Sequence, residues 1–186
     1  MKGWGYLLYN YLNLVNMKSK HVILVNEKDV PRGTMEKIEA HQKGELHRAF
    51  SLFVFNSQKE LLLQQRAMNK YHSGGLWTNT CCSHPQPLEK LEDSVHDRLK
   101  EEMGFDCTLK NIFHFIYKNK FDNELTEHEL DHVFIGYYDL PPHINTNEVM
   151  DWKYVPLNEI KKNMELNPEL YTAWFKIVFA KVLDYI

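Results

Sequence analysis

Leu88, Leu91, Val95, Leu99 and Met103 recur at intervals of three and four. That spacing puts them on one face of a helix. The chain on either side has a different period. HVILVN (21–26), HRAFSLFVFN (47–56), ELLLQQR (60–66), KNIFHFIYK (110–118) and ELDHVFIGYYDL (129–140) are short and rich in aromatic and β-branched residues, and they read as strands. Many strands around one central helix, with helical pattern again near the end, can bury their apolar faces only as a layered α+β or α/β/α domain. With 186 residues and no repeat, linker or low-complexity tract, one domain accounts for the chain from His21 to Ile186.

The boundaries follow from local chemistry. Glu89, Glu92 and Asp93 stand early in the central helix, and Arg98 and Lys100 late, in the order the helix dipole favours. Gly104 is the stop. EKDVPRG (27–33) reads as a turn, and NSQKE (56–60) joins its flanking strands as an antiparallel hairpin. LWTNTCC (76–82) is extended, Pro141-Pro142 ends a strand, and MDWKYVPL (150–157) is a strand running into a helix. Asn167-Pro168-Glu169 opens a last helix with Leu170, Trp174, Ile177 and Val178 on one face. Residues 1–20 form a separate N-terminal extension, loosely ordered or briefly helical, with Met17 a second candidate start. Asn10, Asn13 and Asn16 interrupt its apolar character, so it does not span a membrane, and it has no signal-peptide cleavage pattern.

Charge and cysteines narrow the class. Lys+Arg 22 against Asp+Glu 25 gives a net charge of −3, so no basic nucleic-acid face is indicated. Cys81, Cys82 and Cys107 are too few and too unevenly placed for a disulfide framework, which points to a reducing, cytoplasmic setting. Ten histidines raise the question of a metal.

Several residues carry chemistry. Glu101 and Glu102 crowd the C-terminal end of the central helix, where the dipole disfavours carboxylates, so a cation should offset them. Glu127 and Glu129 share one strand face, with His128 on the other. His41, His47 and His84 are candidate partners for that pair, and imidazole with carboxylate suits Mn²⁺ or Zn²⁺ better than Ca²⁺. Cys82 stands two residues from His84, where a thiol can act as base or nucleophile. Cys107 reads as core. Lys37, Arg66, Lys70 and Arg98 combine point charges with planar forks, which suits a diphosphate.

Taken in order, HVILVN, PRGTMEKIEAH, LHRAFS, LWTNTCCSHP, the EEMG helix end, TEHELDHVF and NEVMDWKYV resemble the type I isopentenyl-diphosphate Δ-isomerases, from about His21 to Trp174. The resemblance implies a Nudix-like α/β/α sandwich with a mixed sheet. The Nudix box is degraded: Ser83 replaces its first glycine and Asp97-Arg98 its Arg-Glu, while Glu89, Glu101, Glu102, Gly104 and Phe105 match. It also implies roles. His41, His47, His84, Glu127 and Glu129 would hold one divalent metal (Mn²⁺, Zn²⁺ or Mg²⁺), and Glu102 would hold Mg²⁺ against the substrate diphosphate. Cys82 and Glu129 would transfer protons with Tyr117 as helper. Lys37, Arg66, Lys70 and Arg98 would contact the diphosphate, and Trp174 would face the reacting carbon.

The expected activity is reversible isomerisation of isopentenyl to dimethylallyl diphosphate through a tertiary carbocation. The expected partner is a small allylic or homoallylic diphosphate, with no nucleic acid, membrane or flavin, in a monomer or weak homodimer. Two alternatives stand beside it: a Nudix-type pyrophosphohydrolase of a nucleoside-diphosphate derivative, and a metal-stapled binding module without catalysis. Arg98, at a box position where a hydrolase has a metal-binding Glu, and a thiol with no role in hydrolysis favour the isomerase.

Overall fold

The computed structural model describes residues 21–121 and 123–186, so the expectations for residues 1–20 lie outside it. The described elements, in chain order, are β1 (His21–Val25), β2 (Pro31–Glu36), α1 (Lys37–Lys43), β3 (His47–Phe55), β4 (Glu60–Arg66), β5 (Trp77–Thr78), β6 (Cys81–Ser83), α2 (Leu91–Met103), β7 (Leu109–Lys120), β8 (Thr126–Tyr137), β9 (Val149–Pro156), α3 (Leu157–Leu166) and α4 (Ala173–Val182). Short 3₁₀ turns cover Pro168–Leu170 and Leu183–Tyr185. No helix among the described residues is long and apolar enough to cross a membrane.

β3 organises the sheet. It pairs in parallel with β8 from His47↔Glu129 to Phe55↔Tyr137, and antiparallel with β6 on its other side. β7 extends the sheet beyond β8, and β9 pairs antiparallel with β4. The sheet is therefore mixed, as expected.

Strand alternation sends side chains to two faces. Phe53 and Phe55 of β3 join Val133 and Ile135 of β8 against Ile160 of α3 and Trp174, Phe175 and Val178 of α4. Phe50, Leu52 and Val54 point the other way, onto Val95, Leu99 and Met103 of α2. β3 is buried on both faces, which is why its sequence is a near-continuous apolar run. Leu99 is fully buried, and truncating such a leucine to alanine costs ~2–5 kcal/mol.

Three local expectations need correction. The 27–33 turn is shorter than expected, because Pro31 and Gly33 open an edge strand, where proline is tolerated. The expected antiparallel hairpin of β3 and β4 does form, with Phe55↔Leu61 paired beside the turn before the strands part to other neighbours. Leu88 is 95% exposed with φ 72°, and α2 begins only after Lys90. Asn167-Pro168 opens a single 3₁₀ turn, and α4 starts afresh after Thr172, leaving Leu170 and Ile177 exposed and burying Trp174 and Val178. Gly104 does terminate α2: its φ is 72°, and a side chain there would meet the His143 carbonyl at 2.2 Å.

Candidate active site

The end of the β3–β8 pair on the α3/α4 face gathers the titratable residues. His47 and Glu129 are opposed in parallel register, and Tyr117 of β7 faces Glu129 from the other side. His41 sits near the end of α1, which Gly44 closes at φ 64°. Its Nδ1 lies 2.6 Å from the Lys37 carbonyl, and His47 Nδ1 lies 2.8 Å from the Glu45 carbonyl. A carbonyl only accepts, so both Nδ1 atoms carry the proton and both Nε2 atoms present a lone pair to the interior.

Those lone pairs converge. His84 Nε2 lies 3.0 Å from Glu129 Oε1 and 3.2 Å from His47 Nε2. His47 Nε2 lies 3.5 Å and His41 Nε2 4.0 Å from the same carboxylate oxygen. Donor atoms of His41, His47, His84 and Glu129 all lie within 4.8 Å of one another. His41 Nε2 is buried without a hydrogen-bond partner. Burial lowers the pKa of His41 and takes that of His84 down to about 3, which keeps both imidazoles neutral, the ligating form. A buried imidazole nitrogen with no partner, among neutral imidazoles and a carboxylate, fits a divalent cation. Glu127 belongs to an adjoining donor group, formed with His41 and His72.

Tyr117 ties the two carboxylates together. Its hydroxyl reaches Glu129 Oε2 at 2.7 Å and Glu127 Oε2 at 3.2 Å. Burial and the neighbouring Glu129 charge raise the Glu127 pKa well above the usual range. Burial also opposes ionisation of Glu129, but the close His47 and His84 rings outweigh it and hold that carboxyl well below the usual range. His128 faces away, its Nδ1 2.9 Å from the Gly44 carbonyl.

Cys82 lines the same cavity as Tyr117, Glu127, Glu129 and Trp174. Burial pushes its thiol up to about 12, against the opposing charge of Arg66, whose Nη1 lies 3.8 Å from Sγ. Cys81 turns to the opposite, α2-facing core. Cys107 packs, half-buried, against that same core.

Lys37, Arg66, Lys70 and Arg98 line the cavity together. Burial, then the nearby Arg66 charge, lowers Lys37 to about 8, and its Nζ lies 4.7 Å from the Tyr71 ring centre. Arg98 donates to Glu101 at 2.7 Å and to Glu102, and so supplies the positive charge that the crowded helix end requires. Glu102 is buried, outside the histidine cluster, and also accepts from Gln64 Nε2 at 3.0 Å. Lys70 pairs with Glu148.

The Thr78–Thr80 segment is a scaffold. Asn79 Oδ1 accepts from the Trp174 indole N–H at 3.2 Å, while Asn79 Nδ2 donates to the Cys81 carbonyl at 2.7 Å. One asparagine thereby fixes the indole and the strand carrying Cys82. Arg66 lies 5.1 Å from the Trp174 ring centre. Sequence reasoning missed Asn79 and His72. The former had a signal, an amide side chain at the centre of the polar Thr78-Asn79-Thr80 stretch within an extended run.

The family profile of the NUDIX domain matches residues 45–175. The chain is 53% identical, over 91% of its own length and 94% of the relative's, to the isopentenyl-diphosphate Delta-isomerase of Pectobacterium atrosepticum. It is 51% identical to isopentenyl-diphosphate Delta-isomerase 2 of Aromatoleum aromaticum, over 88% of this chain and 86% of that one. Among solved structures, DR0079 from Deinococcus radiodurans superposes with a TM-score of 0.67 at 17% identity, covering 80% of this chain and 90% of that one. A MutT protein from Methanosarcina mazei gives 0.61 at 20% identity, covering 73% and 91%. These two share the fold.

Proposed function

The chain belongs to the isopentenyl-diphosphate Delta-isomerases, with a NUDIX domain at its centre, and on that premise we propose how its own residues carry the reaction. The protein converts isopentenyl diphosphate to dimethylallyl diphosphate. The terminal methylene carbon gains a proton, the adjacent carbon becomes a tertiary cation, and the next methylene loses a proton. The diphosphate stays intact. Such a step needs an acid and a base along a short hydrocarbon, in a site closed to water.

Cys82 and Glu129 are the proton-transfer pair, and Tyr117 is the helper that hands a proton to and from Glu129. In the resting site the thiol is protonated and Glu129 is ionised, so one protonation and one deprotonation return the pair to a state with the same number of protons. Which group acts first follows the direction of the reaction. Trp174 faces the cationic carbon, where a desolvated indole face contributes ~2 kcal/mol or more. Lys37, Arg66, Lys70 and Arg98 hold the diphosphate, so the charged end positions the small hydrocarbon. His41, His47, His84, Glu127 and Glu129 hold one divalent metal (Mn²⁺, Zn²⁺ or Mg²⁺), and Glu102 shares a Mg²⁺ with the diphosphate. When bound, the first metal supplies positive charge that polarises the Glu129 carboxylate.

The observation that carries this reading is the shared cavity. A thiol, a tyrosine-bound carboxylate and an indole line one space with four basic side chains. The test is incubation with isopentenyl diphosphate and Mg²⁺. An acid-labile dimethylallyl product is expected, and release of phosphate from an unrearranged alkenyl chain would defeat the reading.

A further inference from the structure

His72 carries no role in the account above, yet it is held as firmly as any residue of the site. It lies in the loop between β4 and β5, where Gly74 packs so closely that a side chain would meet the Met68 carbonyl at 2.6 Å. The His72 ring is 7% exposed. It stacks on Phe121 with centroids 4.6 Å apart and meets the Tyr71 ring edge-on at 4.3 Å. Its Nδ1 has the Ser73 hydroxyl at 3.2 Å. Its Nε2 is buried and has no hydrogen-bond partner.

That Nε2 lies 3.2 Å from Glu127 Oε1, but out of line for a hydrogen bond. An unpartnered ring nitrogen this close to a carboxylate oxygen, with no hydrogen bond between them, is the arrangement expected of two ligands of one ion. Adjacent corners of an octahedron with bonds of ~2.1 Å are separated by about 3 Å. His41 Nε2, likewise buried without a partner, shares the group: donor atoms of His41, His72 and Glu127 lie within 4.8 Å of one another. A buried nitrogen left unpaired costs free energy, and a cation removes that cost.

We infer that His72 is an additional metal ligand of this site, its Nε2 and Glu127 completing on one side the shell that His47, His84 and Glu129 form on the other, with His41 between them. The inference rests on the metal reading of the histidine cluster. As they lie, the six donors form two groups that share His41; closed on one ion, they would suit a six-coordinate metal and favour Mn²⁺ over four-coordinate Zn²⁺.

The test uses the metal-free full chain titrated with Co²⁺, reading affinity and the visible d–d spectrum, whose intensity rises as coordination number falls. His72→Phe keeps the ring stack and removes the nitrogen. The variant is expected to bind Co²⁺ at least ~10-fold more weakly, with a more intense spectrum, while its metal-free melting temperature matches that of the original protein. His72→Asn serves the same comparison if the Phe variant fails to fold. Unchanged affinity and spectrum in the variant, with Co²⁺ uptake by the original protein, would overturn this inference alone. No uptake by the original protein would overturn the metal reading and this inference with it.

Discussion

Tyr117 and Glu129 stand directly opposite each other on β7 and β8, and the tyrosine hydroxyl donates to the carboxylate at 2.7 Å. Burial and the charges of Glu127 and Glu129 raise the Tyr117 pKa well above its ordinary value, so it stays protonated and always has a hydrogen to offer. Tyr117→Phe removes that hydrogen and changes little in volume. Turnover should fall ~10²-fold with substrate KM nearly unchanged, and Glu129→Gln should fall further, ~10²–10⁴-fold. Steady-state kinetics on both variants checks this. A change confined to KM would place the pair in binding instead.

Cys82→Ala should lower turnover by ~10²–10⁴-fold while the melting temperature hardly moves. The thiol's hydrogen-bond contact is a long one, to Arg66 at 3.8 Å, so its removal leaves no well-formed hydrogen bond broken. Near-normal turnover in this variant would end the proton-transfer role, and a large fall in melting temperature would indicate packing.

Much of the fold was legible because it is local. The three-and-four spacing of α2 and the unbroken apolar run of β3 specify themselves without knowledge of the rest of the chain. The site was legible only in residue types. His47 and Glu129 are neighbours because β3 and β8 pair in parallel although 82 positions (129 − 47) separate these residues, and no spacing encodes that pairing. His72 was invisible for another reason: KYHSGG has no period, and its meaning comes from the orphaned Nε2 that only the tertiary structure reveals. Asn167-Pro168 misled because a good capping pair cannot extend a helix past the point where Tyr171 is drawn into the core.

Lys37 gives the site a pH limb. Its pKa is lowered from 10.5 to about 8, chiefly by burial and then by Arg66, so its charged form is disfavoured in the fold. Below pH 8 both folded and unfolded chains hold the proton, and the penalty is constant. As pH rises from about 8 towards 10.5, the folded chain loses the proton first, and this residue's contribution to stability increases. Substrate affinity moves the opposite way, because a neutral amine no longer attracts the diphosphate. KM should rise above pH 8, and Lys37→Arg, which stays charged, should flatten that rise. A KM profile of the same shape in both proteins would remove Lys37 from diphosphate binding.

Removing metal should cost stability. A ligand at 100-fold its Kd stabilises the folded state by ~2.7 kcal/mol. Chelated protein should therefore melt several degrees lower than protein with Mn²⁺ or Zn²⁺ restored, and His41→Ala or His84→Ala should abolish the difference. Identical melting curves with and without metal in the original protein would contradict a metal in the histidine cluster.

The most direct test runs the reaction in D₂O and follows it by NMR. If Cys82 and Glu129 exchange protons with solvent and with the two ends of the hydrocarbon, deuterium enters the newly formed methyl group of dimethylallyl diphosphate, and on reversal it appears in recovered isopentenyl diphosphate. No phosphate is released. Product without solvent deuterium after many reversals, or phosphate released while the double bond stays in place, would contradict the account.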